Sequence, residues 1–114
     1  MTLGEKQKAL PLMLAKLIIF ADKHGYQLTL GDAFRDPRLH GAIGEKKGYG
    51  HYKSAHKMRL AIDLNLFING VYQTTTEAHK PLGEYWESLG GAWGGRFLDR
   101  PDGNHYSIEC QGIK

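Results

Sequence analysis

The sequence has a single cysteine among 114 residues, and Cys110 therefore has no partner for an internal disulfide. It also excludes a zinc site built of cysteines alone. No tract is low in complexity, and the balance of charged and hydrophobic residues argues against disorder. Neither charge sign dominates: 15 Lys plus Arg stand against 12 Asp plus Glu, a net charge of +3. That is no basic arm for nucleic acid, only a mild attraction to anionic polymers. Long apolar runs are missing too. The most apolar stretch, Leu10 to Ala21, is interrupted by Lys16 and falls short of the roughly 20 residues that span a bilayer. Met1 to Lys8 carries both charge signs, and no small-residue cleavage pattern follows the apolar run, so no export signal is expected. What remains is ordinary for one globular domain over 1–114: 41% hydrophobic and 24% charged residues, enriched in six His and 15 Gly.

The hydrophobic pattern predicts an α+β fold, a small antiparallel sheet packed with helices. Leu10, Leu14, Leu17, Ile18 and Ala21 recur at helical steps. Pro11 places the regular start of that helix near residue 10, or a kink there, and Gly25 its end. Tyr26, Leu28 and Leu30 alternate like a strand. From Gly31 to Lys53 the pattern fails, and so long an irregular connection, when ordered, usually carries function. Leu60 to Ile68 is the clearest strand, with Leu60, Ile62, Leu64, Leu66 and Ile68 on one face and Ala61, Asp63, Asn65 and Phe67 on the other. Asn69-Gly70 then signals a hairpin returning through Val71-Tyr72. A second helix is expected from about residue 75 to Leu89, with Thr74 and Glu77 at capping-box spacing and Pro81 in its first turn. Trp93 to Phe97 and Asn104 to Cys110 read as further strands.

One residue breaks the apolar pattern of the clearest strand. Asp63 sits at its centre, beside the small Ala61. A solvated strand face would carry an aspartate without further meaning. A buried one needs a hydrogen bond, an ion pair or a metal. His56 lies seven residues before it, and His105 lies in the last strand behind Asp102-Gly103-Asn104. If the two strands are neighbours, Asp63 and His105 project from one face and His56 can fold over them. Two imidazoles and one carboxylate form a zinc-type set with a fourth position open. Cys110, five residues from His105, points to the opposite strand face and makes a poor fourth ligand.

These residues carry a resemblance. Ser54-Ala55-His56-Lys57-Met58-Arg59-Leu60-Ala61-Ile62-Asp63 is similar to the S-x-H-x-x-G-x-A-x-D signature of the zinc D-alanyl-D-alanine carboxypeptidase and L-alanyl-D-glutamate peptidase family, the VanY-like peptidases and many phage endolysins. Asp102-Gly103-Asn104-His105 resembles its second signature, D-x-x-H, and Ala33-Phe34-Arg35 resembles its upstream aromatic–arginine segment. The resemblance implies His56, Asp63 and His105 as ligands of Zn2+ and Asp102 as the general base that activates water and passes the proton to the leaving amine. It implies Arg35 as a residue that orients substrate and Ser54 as a support beside the first ligand. The reaction implied is hydrolysis of an amide bond in the peptidoglycan stem peptide, of the phage endolysin type that cuts L-alanyl-D-glutamate. Carboxypeptidase or dipeptidase action on D-alanyl-D-alanine is the alternative, and an inactive wall-binding module of the same fold is another. The expected partner is the stem peptide, for a monomer without nucleic acid or membrane anchor. The chain would be made in the cytoplasm and reach the wall after holin action. Arg59 replaces the family's glycine, which implies a different local turn or an added substrate contact. Ser107 stands where many relatives carry Glu or Gln, which removes an expected support of His105.

Of the other histidines, His24 reads as a helix-end cation, His79 as a surface residue, and His40 and His51 as loop residues. Trp86 reads as core, and Trp93 as core or cleft wall. Lys46-Lys47 is a solvated pair. The glycines of 31–50 and 90–103 are expected to flank the site as its walls.

Overall fold

The computed structural model describes residues 1–46 and 53–114. His51 and Lys47 lie outside the described residues. Helix α1 (Leu3–Lys23) opens the chain, seven residues earlier than the apolar stripe predicts. Its start is a capping box: the Thr2 side chain accepts from Glu5 N and the Glu5 carboxylate from Thr2 N. Those two bonds satisfy orphan donors of the first turn, and Pro11 sits inside the helix on an exposed face. The helix ends at His24, and Gly25 follows in the left-handed region at φ 75°.

Strand β1 (Tyr26–Leu30) pairs antiparallel with β2 (Ala61–Ile68), Leu28 opposite Leu66. Among the described residues from Gly31 to Lys53 the chain is irregular, as expected, except for the short α2 (Pro37–His40), capped by Asp36. The buried Lys57 ammonium closes this segment onto the fold by donating to the carbonyls of Ala42 and Glu45. Asn69 and Gly70 both take positive φ, the two-residue turn that the Asn-Gly pair favours, and lead into β3 (Val71–Tyr72).

Helix α3 (Lys80–Ser88) begins at Pro81's turn, after a 3-10 turn over Glu77–His79. The Thr74–Glu77 capping box does not form; the Thr75 hydroxyl accepts from Ala78 N instead. The predicted strand from Trp93 to Phe97 is only β4 (Ala92–Trp93), because Gly94–Arg96 turns as a 3-10 helix. The last strand is β5 (His105–Ser107); Cys110 instead bridges Ile113. The sheet runs β1-β2-β5-β4, with β3 also on β2, all antiparallel.

The period-2 pattern of β2 sorts its residues between two environments. Ile62, Leu64 and Leu66 bury with Leu17 and Ala21 of α1, Leu82 and Trp86 of α3, and Trp93 and Tyr106. Burial of that apolar face, at roughly 25 cal/mol per Å2, is the main driving force for the layer arrangement. A second cluster joins Ala55, Leu60, Ala61, Ile108 and Cys110, so the lone thiol is a small core residue. His79 is buried rather than at the surface, with Nδ1 2.8 Å from the Tyr106 hydroxyl. It is the polar partner that lets the Tyr106 phenol sit in the core. No helix among the described residues is long and apolar enough to cross a membrane.

Candidate active site

The face of β2 turned away from that core carries Asp63, and the register sets His105 of β5 directly opposite. His56 comes from the 3-10 turn Ala55–Met58, which precedes β2. The turn starts at Ser54, whose Oγ accepts from His56 N at 3.2 Å and so points the turn over the sheet. His56 Nε2 lies 3.1 Å and His105 Nδ1 3.4 Å from the same oxygen, Asp63 Oδ1. The two imidazole rings meet edge to face with centroids 5.0 Å apart.

The donor set fits a metal ion. His56 Nδ1 lies 2.7 Å from the carbonyl oxygen of Ala33. A carbonyl only accepts, so Nδ1 carries a proton, and Nε2, on the Asp63 side, is the nitrogen left to ligate an ion. One ligand atom from each of His56, Asp63 and His105 falls within 4.8 Å of the others, the span of a single ion. Ala33 O fixes the tautomer and orientation of His56, the role a carbonyl plays behind a metal-ligating histidine. Among the described residues His105 lacks such support: its buried Nε2 has no hydrogen-bond partner there, and the Ser107 hydroxyl turns to Ala92 O.

Charge around the set is organised by Arg35. Its Nη1 donates to Ser54 Oγ at 3.1 Å, its Nε approaches Asp32 at 3.4 Å, and its Nη2 lies 3.9 Å from Asp63 Oδ2. Backbone bonds place that segment, since Gly31 N donates to Asp63 O and Asp63 N to Asp32 O. Burial pushes the Asp63 carboxyl up, but hydrogen bonds to His105 and His56 outweigh it and hold the group well below the usual carboxylate range.

Asp102 lines the same cleft as Arg35, Ser54, His56 and His105, a hollow of about 990 Å3. Much of its surface is accessible, yet the surrounding protein displaces enough water to push its carboxyl up, and the Asp63 charge adds to this. A carboxyl shifted in that direction is a better proton carrier near neutral pH than an ordinary one. Its loop is tightly held. Asp102 N donates to Gly94 O, Gly103 N to Thr76 Oγ1, and the Trp93 indole to Gly103 O. Trp93 is thus core, and it also pins the loop between Asp102 and His105. A Cβ on Gly94 would lie 2.2 Å from Asp102 O and 2.8 Å from His105 Cβ. Gly94 is therefore a close-approach point of the cleft wall.

Arg59 keeps the turn that its replacement of glycine put in question. It is left-handed, at φ 59° and ψ 33°, and caps the 3-10 turn that carries His56. Its guanidinium lies 4.1 Å from the centroid of the Phe34 ring, a cation–π contact that offsets part of the strain. Sequence reasoning missed Asp32 and the carbonyl of Ala33, while Gly94 is one of the glycines of 90–103 expected to wall the site. Ala33 acts through its backbone and left no side-chain signal; the Gly94-Gly95 pair was the one visible hint of close approach.

The His–Asp–His group of this antiparallel α+β fold is placed for metal binding, and its two histidines share a cleft with Asp102. A family model described as D-alanyl-D-alanine carboxypeptidase matches residues 47–108, more than half of the chain. The chain belongs to this peptidase family, whose substrates are peptides of peptidoglycan. No curated relative matches the chain.

Proposed function

We propose that the chain is a single catalytic domain over 1–114, a zinc-dependent hydrolase that cuts an amide bond in the peptidoglycan stem peptide. The observation that carries this reading is the grouping of His56, Asp63 and His105, two of which, His56 and His105, line one cleft with Asp102. His56, Asp63 and His105 would hold the ion, which when bound supplies a polarising charge for the peptide carbonyl and a more acidic water. Arg35, anchored by Ser54, Asp32 and Asp63, presents a fixed cation at the cleft for a substrate carboxylate or carbonyl. Asp102 takes the proton from the attacking water and hands it to the leaving amine. Ser54 acts by orientation, since its one hydroxyl fixes both the His56 backbone and the Arg35 guanidinium.

The bond we assign is L-alanyl-D-glutamate, as in a phage endolysin acting at the wall as a monomer after holin action. The description of the matched family favours a second reading, removal of terminal D-alanine. Digestion of purified peptidoglycan, followed by mass spectrometry of the fragments, separates the two. A new N-terminal D-glutamate supports the endopeptidase, and free D-alanine supports the carboxypeptidase. Intact stem peptides after prolonged digestion with metal-loaded protein would overturn both.

A further inference from the structure

A second hollow adjoins the cleft. Pro101 and Asp102 line both, and beyond them lies a pocket of about 210 Å3. The two differ in charge. Arg35, Lys53, Arg96, Arg100 and Lys114 face the cleft with the acidic Asp99 and Asp102, whereas among the described residues the pocket walls contain no Lys or Arg and have Asp102 as their only acidic residue. His79 at the pocket adds no charge, since burial pushes its imidazole down to about 4. The walls are instead rich in neutral hydrogen-bonding groups. The Thr75 and Thr76 hydroxyls accept from Ala78 N and Gly103 N, which leaves each O–H free to donate outward. The Thr74 hydroxyl and Asn104 amide make no side-chain hydrogen bond among the described residues. Tyr72, half exposed, places an aromatic ring at the same pocket.

An aromatic ring beside uncharged donors and acceptors matches an uncharged sugar, whose C–H faces lie on the ring while its hydroxyl and acetamido groups bond to the rim. An anionic group is drawn instead to the basic cleft. We propose that the pocket bounded by Tyr72, Thr74, Thr75, Thr76 and Asn104 is a glycosyl subsite, taking an uncharged N-acetylated sugar joined to the peptide that crosses Asp102. This rests on the peptidase reading above and adds to it that the enzyme reads the glycan end of its substrate.

The test uses two substrates with the same peptide, one carrying its N-acetylated disaccharide and one capped by a simple acetyl group. Wild-type protein should show a kcat/KM about tenfold higher for the glycosylated one, equivalent to one or two good hydrogen bonds. In Tyr72→Ala and Thr74→Val that ratio should fall towards one. Equal rates for the two substrates, or variants that lower both rates alike, would overturn the subsite. A second arm needs no catalysis: the disaccharide alone is titrated into 15N-labelled protein. Amide shifts confined to Thr74, Thr75 and Asn104 support the subsite, and their absence at saturating sugar overturns it. If neither peptide is cut, the peptidase reading fails, while this titration still decides the pocket.

Discussion

Asp63 and His105 are directly paired across β2 and β5, with Asp63 Oδ1 3.4 Å from His105 Nδ1. Their proximity is a property of the sheet register. A one-residue slip of either strand would send one side chain into the core. His56 is then added by a turn whose cap, Ser54, also holds Arg35. Two of the proposed ligands thus stand on rigid strands and the third on a capped turn, the kind of support a metal site requires.

Gly94 should be intolerant of any side chain. Gly94→Ala drives a Cβ against the Asp102 carbonyl and the His105 side chain. Urea unfolding should show a loss of about 2 kcal/mol, typical of overpacking against backbone. Hydrolysis should fall by about 100-fold, since small displacements of reacting groups cost that much.

Asp102→Asn should separate chemistry from binding. The amide keeps the shape of the loop but cannot take a proton. The rate should fall by roughly 100-fold to 10,000-fold, the usual contribution of a general base. Metal content and unfolding midpoint should match wild type. A normal rate of peptide release would remove Asp102 from the reaction.

His79 should make stability depend on pH. Its folded value lies at about 4, against an ordinary 6.5. Above 6.5 it is neutral in both states and the linkage vanishes. As pH falls from 6.5 to 4 the unfolded chain takes up a proton that the folded chain refuses, so stability declines. The loss is about 3 kcal/mol at most. Denaturant unfolding between pH 7 and 4 should show this decline, and His79→Gln should flatten it.

Arg59 tests the balance between strain and contact. Arg59→Ala keeps the left-handed backbone and loses the Phe34 contact, so it should be destabilised by about 0.5–1 kcal/mol. Arg59→Gly loses the same contact but relieves a strain of about 1 kcal/mol. The glycine variant should therefore unfold at higher denaturant than the alanine variant.

The elements with strong periodicity were legible in the sequence. The alternation of Leu60 to Ile68 predicted both β2 and the opposite faces of Leu64 and Asp63, and Asn69-Gly70 predicted the turn after it. Helix boundaries were less so. The apolar stripe and Pro11 point to a start near residue 10, whereas the Thr2–Glu5 capping box starts the helix at Leu3. Thr74 looked like a cap by spacing, yet Thr75 serves, because neighbouring threonines offer the same hydroxyl. The nearness of His56, Asp63 and His105 followed from two strands being neighbours, which spacing allows but does not require. The burial of His79 left no trace, since its cause is a long-range contact with Tyr106. Ala33, which orients His56 through a backbone carbonyl, was invisible for the same reason.

The central claim is that His56, Asp63 and His105 hold one metal ion for hydrolysis in the Asp102 cleft. Elemental analysis of purified protein against Asp63→Ala tests it most directly. The account predicts about one zinc per wild-type chain after dialysis, and a large loss of that zinc in the variant. Wild-type protein that retains no transition metal after loading, or a variant that retains it fully, would contradict the account.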